Sequence, residues 1–238
     1  MIERHLMKLR ARSKISEAEE QIIRSAVCEY RELEPGVTFI RARERLEHST
    51  ILLDGLMCRY KDLSEGQRQV TELHVAGDFA DLHSFTLKQL DHHVMTLTPC
   101  KIASVPHERL RGITENFPHL TRVYWFSTNL DAAIHREWEV SLGRRRAVAA
   151  MAHLFCELNV RLGIVGLSHD GCYDLDITQQ ELSECLGIST VHVNRALQAL
   201  RASGYAEFRA GRVEIRDQAA LEQLAEFDSS YLYLGDLG

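Results

Sequence analysis

The sequence predicts an α+β protein: a β-rich first half, then a long helix, then a winged helix-turn-helix. Three observations predict this order. Turn glycines separate short alternating segments in the first half, apolar residues recur at helical spacing after Pro118, and a capping-box pattern precedes Gly187. We predict three segments with bounds 1–116, 117–142 and 143–238.

The β-rich half is predicted to begin with a helix over residues 16–26 and to continue as strands. Five segments alternate between apolar and polar residues, and glycines at 36, 55, 66 and 77 separate them. Many short strands with regular turn signals are typical of an all-β sandwich or roll. The five segments are residues 37–40, 50–53, 57–60, 70–75 and 101–105.

The long helix is predicted to begin at Pro118, a residue that suits the first turn of a helix. Apolar residues then follow at alternating spacings of three and four, which resembles a coiled-coil seam with Ser127 as its weak member. We interpret the seam as a dimer axis, and the alternative is a helix packed on its own β domain. The seam comprises Leu120, Val123, Ser127, Leu130, Ile134 and Trp138. A hinge at Gly143 and the arginines at 144–146 is expected to precede another helix over residues 147–158.

Residues 178–200 have the pattern of a helix-turn-helix. Thr178 and Glu181 fit a capping box at a helix start, and Leu182 and Leu186 share one apolar stripe of that helix. Gly187 fits the tight turn, Ile188 is expected to fill the gap between the helices, and Ser189 can cap the second helix. Three residues of the second helix should face the core: Val193, Leu197 and Leu200.

The remaining residues of the second helix favour duplex DNA as the partner. They are short, polar or basic, and the major groove is wide enough to admit such a helix. These outward residues are Thr190, Val191, His192, Asn194 and Arg195.

A basic hairpin is predicted directly after the helix-turn-helix. Residues 205–209 and 212–216 alternate like strands around the turn at Ala210 and Gly211. Arg209, Arg212 and Arg216 are expected at or beside this turn, so the unit is interpreted as a winged helix that binds DNA.

Composition sets further bounds. The 238 residues carry a net charge of −6, but residues 142–217 hold nine arginines against nine acids, so DNA binding must rest on a locally basic face. The six cysteines are scattered singly, which favours reduced thiols in the cytoplasm. We expect no membrane span, because no apolar run approaches the length of one, and no signal peptide, because the N-terminus lacks a signal-peptide core.

The order of elements and several motifs resemble the Crp/Fnr family of bacterial transcription regulators. The strongest motif is Leu-Gly-Ile-Ser-Thr-Val-His-Val-Asn-Arg at 186–195, and weaker ones are Glu-Pro-Gly at 34–36, Leu-Asp-Gly at 53–55, Ala-Gly-Asp-Phe at 76–79 and Gly-Arg at 143–144. The resemblance implies a cyclic-nucleotide-binding-like roll, a homodimer joined along the long helix and a pseudo-palindromic operator. Its two recognition helices would enter major grooves about 34 Å apart.

The resemblance also implies roles for individual residues. Arg195 matches an arginine in the middle of the family's recognition helix and could pair with guanine, while Asn194 could read adenine. Val191 stands where a glutamate is common and could contact only a thymine methyl, so we expect an unusual operator. Thr178, Gln179 and Ser189 are assigned to phosphates. An activator would also contact RNA polymerase.

The family's cyclic AMP site is only partly matched. Asp81 could stand in for the glutamate that holds the ribose, but Asp91, His92 and His93 occupy the region where an arginine would hold the cyclic phosphate. Histidine is neutral much of the time near pH 7, and a buried phosphate needs a cation. We therefore expect no cyclic AMP control; another small molecule could contact His83, His92 or His93, or these histidines could be fillers.

Other functions are less well supported by the sequence. The iron–sulfur branch of the family needs clustered N-terminal cysteines, and only Cys28 precedes Cys58. His153 and Cys156 have the spacing that could start a metal site, and oxidation of Cys185 could weaken DNA binding, but no metal or cofactor is assigned. No GxSxG, GxGxxG, P-loop or HExxH motif is present, so no enzyme is expected. The remaining alternative is a winged helix that binds a ligand or protein partner.

Overall fold

The protein, described here from a computed structural model over residues 1–235, divides into two compact units. The first comprises Met1–Tyr60, Leu73–Ala133 and the chain from Tyr233. The second comprises Lys61–Glu72 and Ile134–Leu232. The boundary between the units falls inside the long helix, between Ala133 and Ile134. The bounds 1–116, 117–142 and 143–238 for a sensor domain, a dimerisation helix and a DNA-binding domain stay a prediction.

The first unit is a roll of two sheets with helices before and after it, as the sequence predicts. Its strands join in the orders β1-β7-β3 and β2-β6-β4-β5. The strands are β1 (Glu29–Leu33), β2 (Thr38–Ile40), β3 (His48–Asp54), β4 (Leu56–Asp62), β5 (Arg68–Val75), β6 (His93–Thr96) and β7 (Cys100–Pro106); the end of β4 and the first part of β5 fall within Lys61–Glu72, which belongs to the second unit. The helices are α1 (Glu3–Arg10), α2 (Glu17–Ala26), α3 (Ser84–Leu87), α4 (His107–Asn116) and the first part of α5 (Pro118–Gly143).

The five predicted strands correspond to β2, β3, β4, β5 and β7, and the predicted N-terminal helix is α2. The strands β1 and β6 and the helices α1, α3 and α4 were not predicted. A signal for α1 was present, because Ile2, Leu6 and Leu9 follow helical spacing, and all three are buried in the core of the roll.

Helix α1 packs closely on the turn after β5. The Nδ1 atom of His5 is 2.8 Å from the carbonyl oxygen of Gly77, and Lys8 forms an ion pair with Asp78. Gly77 has a φ of +95°, and a Cβ atom there would lie 2.7 Å from the carbonyl oxygen of Arg4. Only glycine satisfies both the backbone angle and this close approach.

Helix α5 begins at Pro118 as predicted, but four of the six residues of its predicted dimer seam are buried by the chain itself, while Ser127 and Leu130 are half-buried. Leu120, Val123, Ile134 and Trp138 are all buried within the chain. The hydroxyl of Ser127 donates to the carbonyl oxygen of Val123 at 3.0 Å. The seam was therefore assigned wrongly, because apolar spacing identifies the buried face of a helix without showing what covers it.

The second unit is a winged helix built around one apolar helix. A four-stranded sheet of order β10-β11-β9-β8 packs with the helices. The strands are β8 (Ser168–His169), β9 (Cys172–Asp174), β10 (Ala206–Arg209) and β11 (Arg212–Ile215). The helices are α6 (Ala147–Ile164), α7 (Gln179–Leu186), α8 (Thr190–Ala202) and α9 (Gln218–Ala225), followed by a 3-10 turn at Ser229–Leu232.

Helix α6 is the central helix of this unit and is six residues longer than the predicted 147–158. Its carboxylate at Glu157 is fully buried and accepts hydrogen bonds from the Trp138 indole (3.2 Å), Arg161 (2.9 Å) and the Tyr231 hydroxyl (2.8 Å). These partners satisfy the buried charge and hold α6 against the second half of α5 and the C-terminal turn.

Helix α6 also corrects the expectation that no apolar segment reaches membrane-span length. Its 18 residues are long and apolar enough by length and composition alone. The burial of 61% of the helix inside the unit matches a core helix, which passes the same test, so the helix is weak evidence for a membrane span.

Candidate DNA-binding surface and sensor cluster

The helix-turn-helix forms through the caps that the sequence indicates. The Thr178 hydroxyl accepts the Glu181 amide at 3.1 Å, and the Glu181 carboxylate accepts the Thr178 amide at 2.6 Å, which is a capping box. Gly187 ends α7 with a φ of +63°. Ser189 then caps α8 by accepting the His192 amide at 3.4 Å.

One face of α8 packs into the core of the second unit. Val193, Ala196 and Leu200 are 0%, 1% and 1% exposed. Leu197, predicted to face the core, is only half-buried, and Ala196 takes the central position instead. The spacings of three and four between 193, 196 and 200 keep these residues on one stripe, which fixes the opposite face toward solvent.

The solvent face of α8 is polar and open along two turns. Thr190, Val191, Asn194 and Arg195 are exposed, and Val191 is 58% exposed. Within the described residues the side chain of Arg195 makes no hydrogen bond or ion pair. Gln198 is also exposed one turn after Asn194; the sequence reasoning missed it, although the spacing of four was a usable signal.

Three of the predicted contact residues, Thr178, Ser189 and His192, already have local partners. The Nδ1 atom of His192 is 2.8 Å from the Ser189 hydroxyl, so this ring turns back toward the start of its own helix. Thr178 is held by Glu181 as described above. Gln179, at the first position of α7, is exposed.

The wing is the β10–β11 hairpin. Arg209 and Arg212 lie opposite each other in its register, and both are exposed. Arg216 was predicted to be available for DNA, but it pairs with Glu207 and lies 3.5 Å from Glu214. The availability of Arg216 was predicted wrongly because the strand register, which brings Glu207 beside it, was not read from the sequence.

In the first unit, the predicted sensor residue Asp81 is fully buried and serves the fold. Its carboxylate accepts the Thr50 amide at 2.6 Å and the Ser84 hydroxyl at 3.1 Å. Burial raises the pKa of Asp81 to about 7, and its hydrogen bonds and the charge of Arg59 only partly oppose this shift. Asp81 therefore joins β3 to α3.

The three predicted sensor histidines divide into two environments. The rings of His83 and His92 lie 5.3 Å apart, and Nδ1 of His92 is 2.9 Å from the Asp91 carboxylate. Burial lowers the pKa of His92 to about 4. His93 instead stacks on Tyr60 with ring centroids 5.1 Å apart, because adjacent strand residues point to opposite faces.

A permanent cation lies beside His83 and His92, and the sequence reasoning missed it. Arg59 on β4 is 3% exposed; it donates to the Asp131 carboxylate at 3.0 Å and to the Ala80 carbonyl at 3.1 Å. A cation was expected only in the region after Asp81, whereas Arg59 lies earlier in the chain, on strand β4.

The candidate metal pair, His153 and Cys156, and the candidate redox residue, Cys185, are all buried in the second unit. Burial lowers the pKa of His153 to about 3 and raises the pKa of Cys156 to about 12, so both are neutral at pH 7. The His153 ring contacts Phe227 and stacks on Tyr231. Cys185 is 2% exposed, and its proposed sensitivity to oxidation stays a prediction.

Comparison with known proteins places both units in one family. The sequence profile of the cyclic nucleotide-binding domain matches residues 30–117, and that of the Crp-like helix-turn-helix domain matches residues 149–224. The transcriptional activator protein FnrL of Cereibacter sphaeroides is 26% identical over 220 residues, covering 90% of this chain and 87% of that protein. The nitrogen fixation regulation protein FixK of Bradyrhizobium diazoefficiens is 28% identical over 182 residues, covering 73% and 72%.

The fold has the same relatives. The structure of FixK2 from Bradyrhizobium japonicum superposes with a TM-score of 0.75 at 21% identity, over 82% of this chain and 96% of that one. A sensor-type β-roll followed by a long helix and a winged helix-turn-helix defines a class of DNA-binding transcription regulator. The chain belongs to the Crp/Fnr family of that class.

Proposed function

We propose that this protein is a cytoplasmic homodimer that binds a pseudo-palindromic operator by placing α8 in the major groove. The observation that carries the proposal is the open face of α8, where Arg195 has no partner among the described residues while the opposite face is fully buried. A cation left uncompensated at the middle of a helix-turn-helix fits an anionic duplex.

The residues of this face suit direct reading of base edges. Arg195 can donate two hydrogen bonds to O6 and N7 of guanine, and Asn194 and Gln198 can each bind adenine through N6 and N7. Val191 offers only an apolar surface, which fits a thymine methyl. His192 is less suited to this role, because its ring is bound to Ser189.

The phosphate contacts would come from neighbouring exposed residues. Arg209 and Arg212 at the wing tip and Gln179 at the start of α7 are exposed. Each arginine that neutralises a phosphate should steepen the loss of affinity with salt, because counterions are released. Arg216 is expected to contribute little, since Glu207 already pairs with it.

The dimer proposal is supported by a different stripe of α5 from the one predicted. In the first unit Trp125, Asn129 and Ala132 are exposed at spacings of four and three, and Trp125 is 68% exposed. A large exposed tryptophan on a helical stripe favours burial against a second copy. Two copies would present two α8 helices to half-sites about 34 Å apart.

The test is selection of binding sites from random duplex DNA by the purified full chain. We expect a pseudo-palindrome with a preferred guanine in each half-site, recovered without cyclic AMP. Arg195→Ala should lose about 1–3 kcal/mol of binding free energy per half-site and relax that one base position. Arg201→Ala is the matched control, because Arg201 is an exposed arginine on the same helix but six residues further on.

The outcomes separate DNA binding from the alternative of a protein-binding winged helix. Equal loss of affinity and base preference in both arginine variants would contradict the assignment of Arg195. Failure to recover any site, together with binding that does not weaken with salt, would contradict the proposed function. FnrL is named a transcriptional activator, and we expect that an activating role of this chain would require contact with RNA polymerase. The absence of enzymatic activity is a further expectation of this proposal.

A further inference from the structure

The ion pair between Arg59 and Asp131 lies inside the first unit. The Arg59 side chain is 4% exposed, and its guanidinium is 3.0 Å from the carboxylate of Asp131 on α5. A second nitrogen donates to the Ala80 carbonyl at 3.1 Å. Arginine stays charged in proteins, so a buried guanidinium requires an anion at this position.

Two histidines extend the same site. The Nδ1 atom of His83 is 3.9 Å from the Asp131 carboxylate, and the ring of His92 is 5.3 Å from the ring of His83. His92 is 7% exposed, and its Nε2 atom has no hydrogen-bond partner among the described residues. The exposed Asp91 holds the other nitrogen of His92 at 2.9 Å.

We propose that Arg59, His83 and His92 form a binding site for one small anion, and that the carboxylate of Asp131 is its resident anion. The chain thereby supplies from α5 the charge that a soluble ligand would otherwise bring. The anion site is inferred from the positions of these side chains. Its consequence is a regulator that needs no anionic effector, and that consequence depends on the proposed function.

The geometry sets the size of the anion. Asp131 contributes a single carboxylate group to the site, and replacing it with alanine removes only that group. Formate has the same size and charge as the group removed. Because the guanidinium is buried, water replaces the lost carboxylate poorly, and formate should bind where the carboxylate was.

The experiment measures the melting temperature of the full chain in sodium formate against sodium chloride at equal ionic strength. The wild type should respond equally to both salts. Asp131→Ala should melt several degrees lower than the wild type in chloride and should recover part of that loss in formate. Asp54→Ala is the matched control, because Asp54 pairs with Arg4 at 2.7 Å on the surface of the same unit, where water can replace the carboxylate.

Two further variants keep the test decisive. Asp131→Asn keeps the side-chain volume and should lose stability without a formate response, because its amide occupies the site. The double variant Arg59→Met with Asp131→Leu removes both charges; it should fold and show no formate response. A formate response equal in the wild type, Asp54→Ala and Asp131→Ala would overturn the proposal, as would an Asp131→Ala protein that melts like the wild type. Because melting does not involve DNA, a failure here leaves the proposed function to its own test.

Discussion

Arg195 and Arg59 show how the same side chain serves two different purposes in the two units. Arg195 stands on the open face of α8 with no partner among the described residues, whereas Arg59 is buried in the β-roll against Asp131. The charge of the Arg195 guanidinium is available to an anion from outside the chain, whereas the charge of the Arg59 guanidinium is balanced by the carboxylate of Asp131. The difference shows that a binding surface and a closed internal site can be distinguished by where the counter-charge comes from.

The largest expected effect contrasts these two arginines in stability. Arg59→Ala should reduce the free energy of unfolding of the first unit by about 3 kcal/mol, because it leaves a partly buried carboxylate and a void. Arg195→Ala should change the stability of the second unit by less than about 0.5 kcal/mol, because it is a surface substitution. Hydrogen exchange of amides in β3 and β7, compared with amides in α6, measures the two units separately.

If both variants lowered stability equally, the contrast between a compensated and an uncompensated arginine would be wrong. Arg201→Ala again provides the control for a surface arginine on α8.

The next effect compares a turn glycine from each unit. Gly77→Ala should cost about 2–3 kcal/mol, since the Cβ atom would lie 2.7 Å from a backbone oxygen in addition to the strain of a positive φ. Gly187→Ala should cost about 1 kcal/mol, because its nearest atoms are ends of the Leu142 and Gln69 side chains at 3.1 Å and 3.2 Å. Urea unfolding of the two variants measures which loses more stability. Equal losses would show that helix α1 can shift away from Gly77 at little cost in free energy.

The last comparison is a pH dependence of opposite sign in the two units. In the second unit burial holds the pKa of His153 at about 3, below its usual 6.5, and Arg145 lowers it further. Below pH 6.5 His153 is protonated in the unfolded chain and stays neutral in the folded one, so stability falls as the pH drops from 6.5 toward 3. His153→Phe should remove up to about 1.4 kcal/mol per pH unit of this slope.

Asp81 acts in the opposite direction in the first unit. Burial raises its pKa to about 7 from the usual 3.8, so the folded unit keeps a proton that the unfolded chain loses, and stability falls as pH rises from about 4 to 7. Asp81→Asn should remove this fall. Unfolding measured from pH 5 to 7.5 checks both signs. Glu137, whose carboxylate is 3.5 Å from His153, is left unchanged in both variants.

Much of the fold followed from local sequence patterns. The capping box at Thr178, the turn at Gly187, the start of α5 at Pro118 and five strands of the roll were predicted, because each depends on residues close together in the chain. The open face of α8 was predicted for the same reason, except that Ala196 rather than Leu197 is central and Gln198 was missed.

The tertiary structure decided which charges meet and which helix face is covered. Arg59 and Asp131 are 72 residues apart, and only the packing of α5 on β4 brings them to 3.0 Å. The seam of α5 has the same spacing whether a second copy or its own chain buries it, and only the fold showed that the chain itself does so. Local spacing determined the elements of this protein, while long-range packing decided their partners, because side-chain periodicity records which face is apolar and carries no information about what lies opposite.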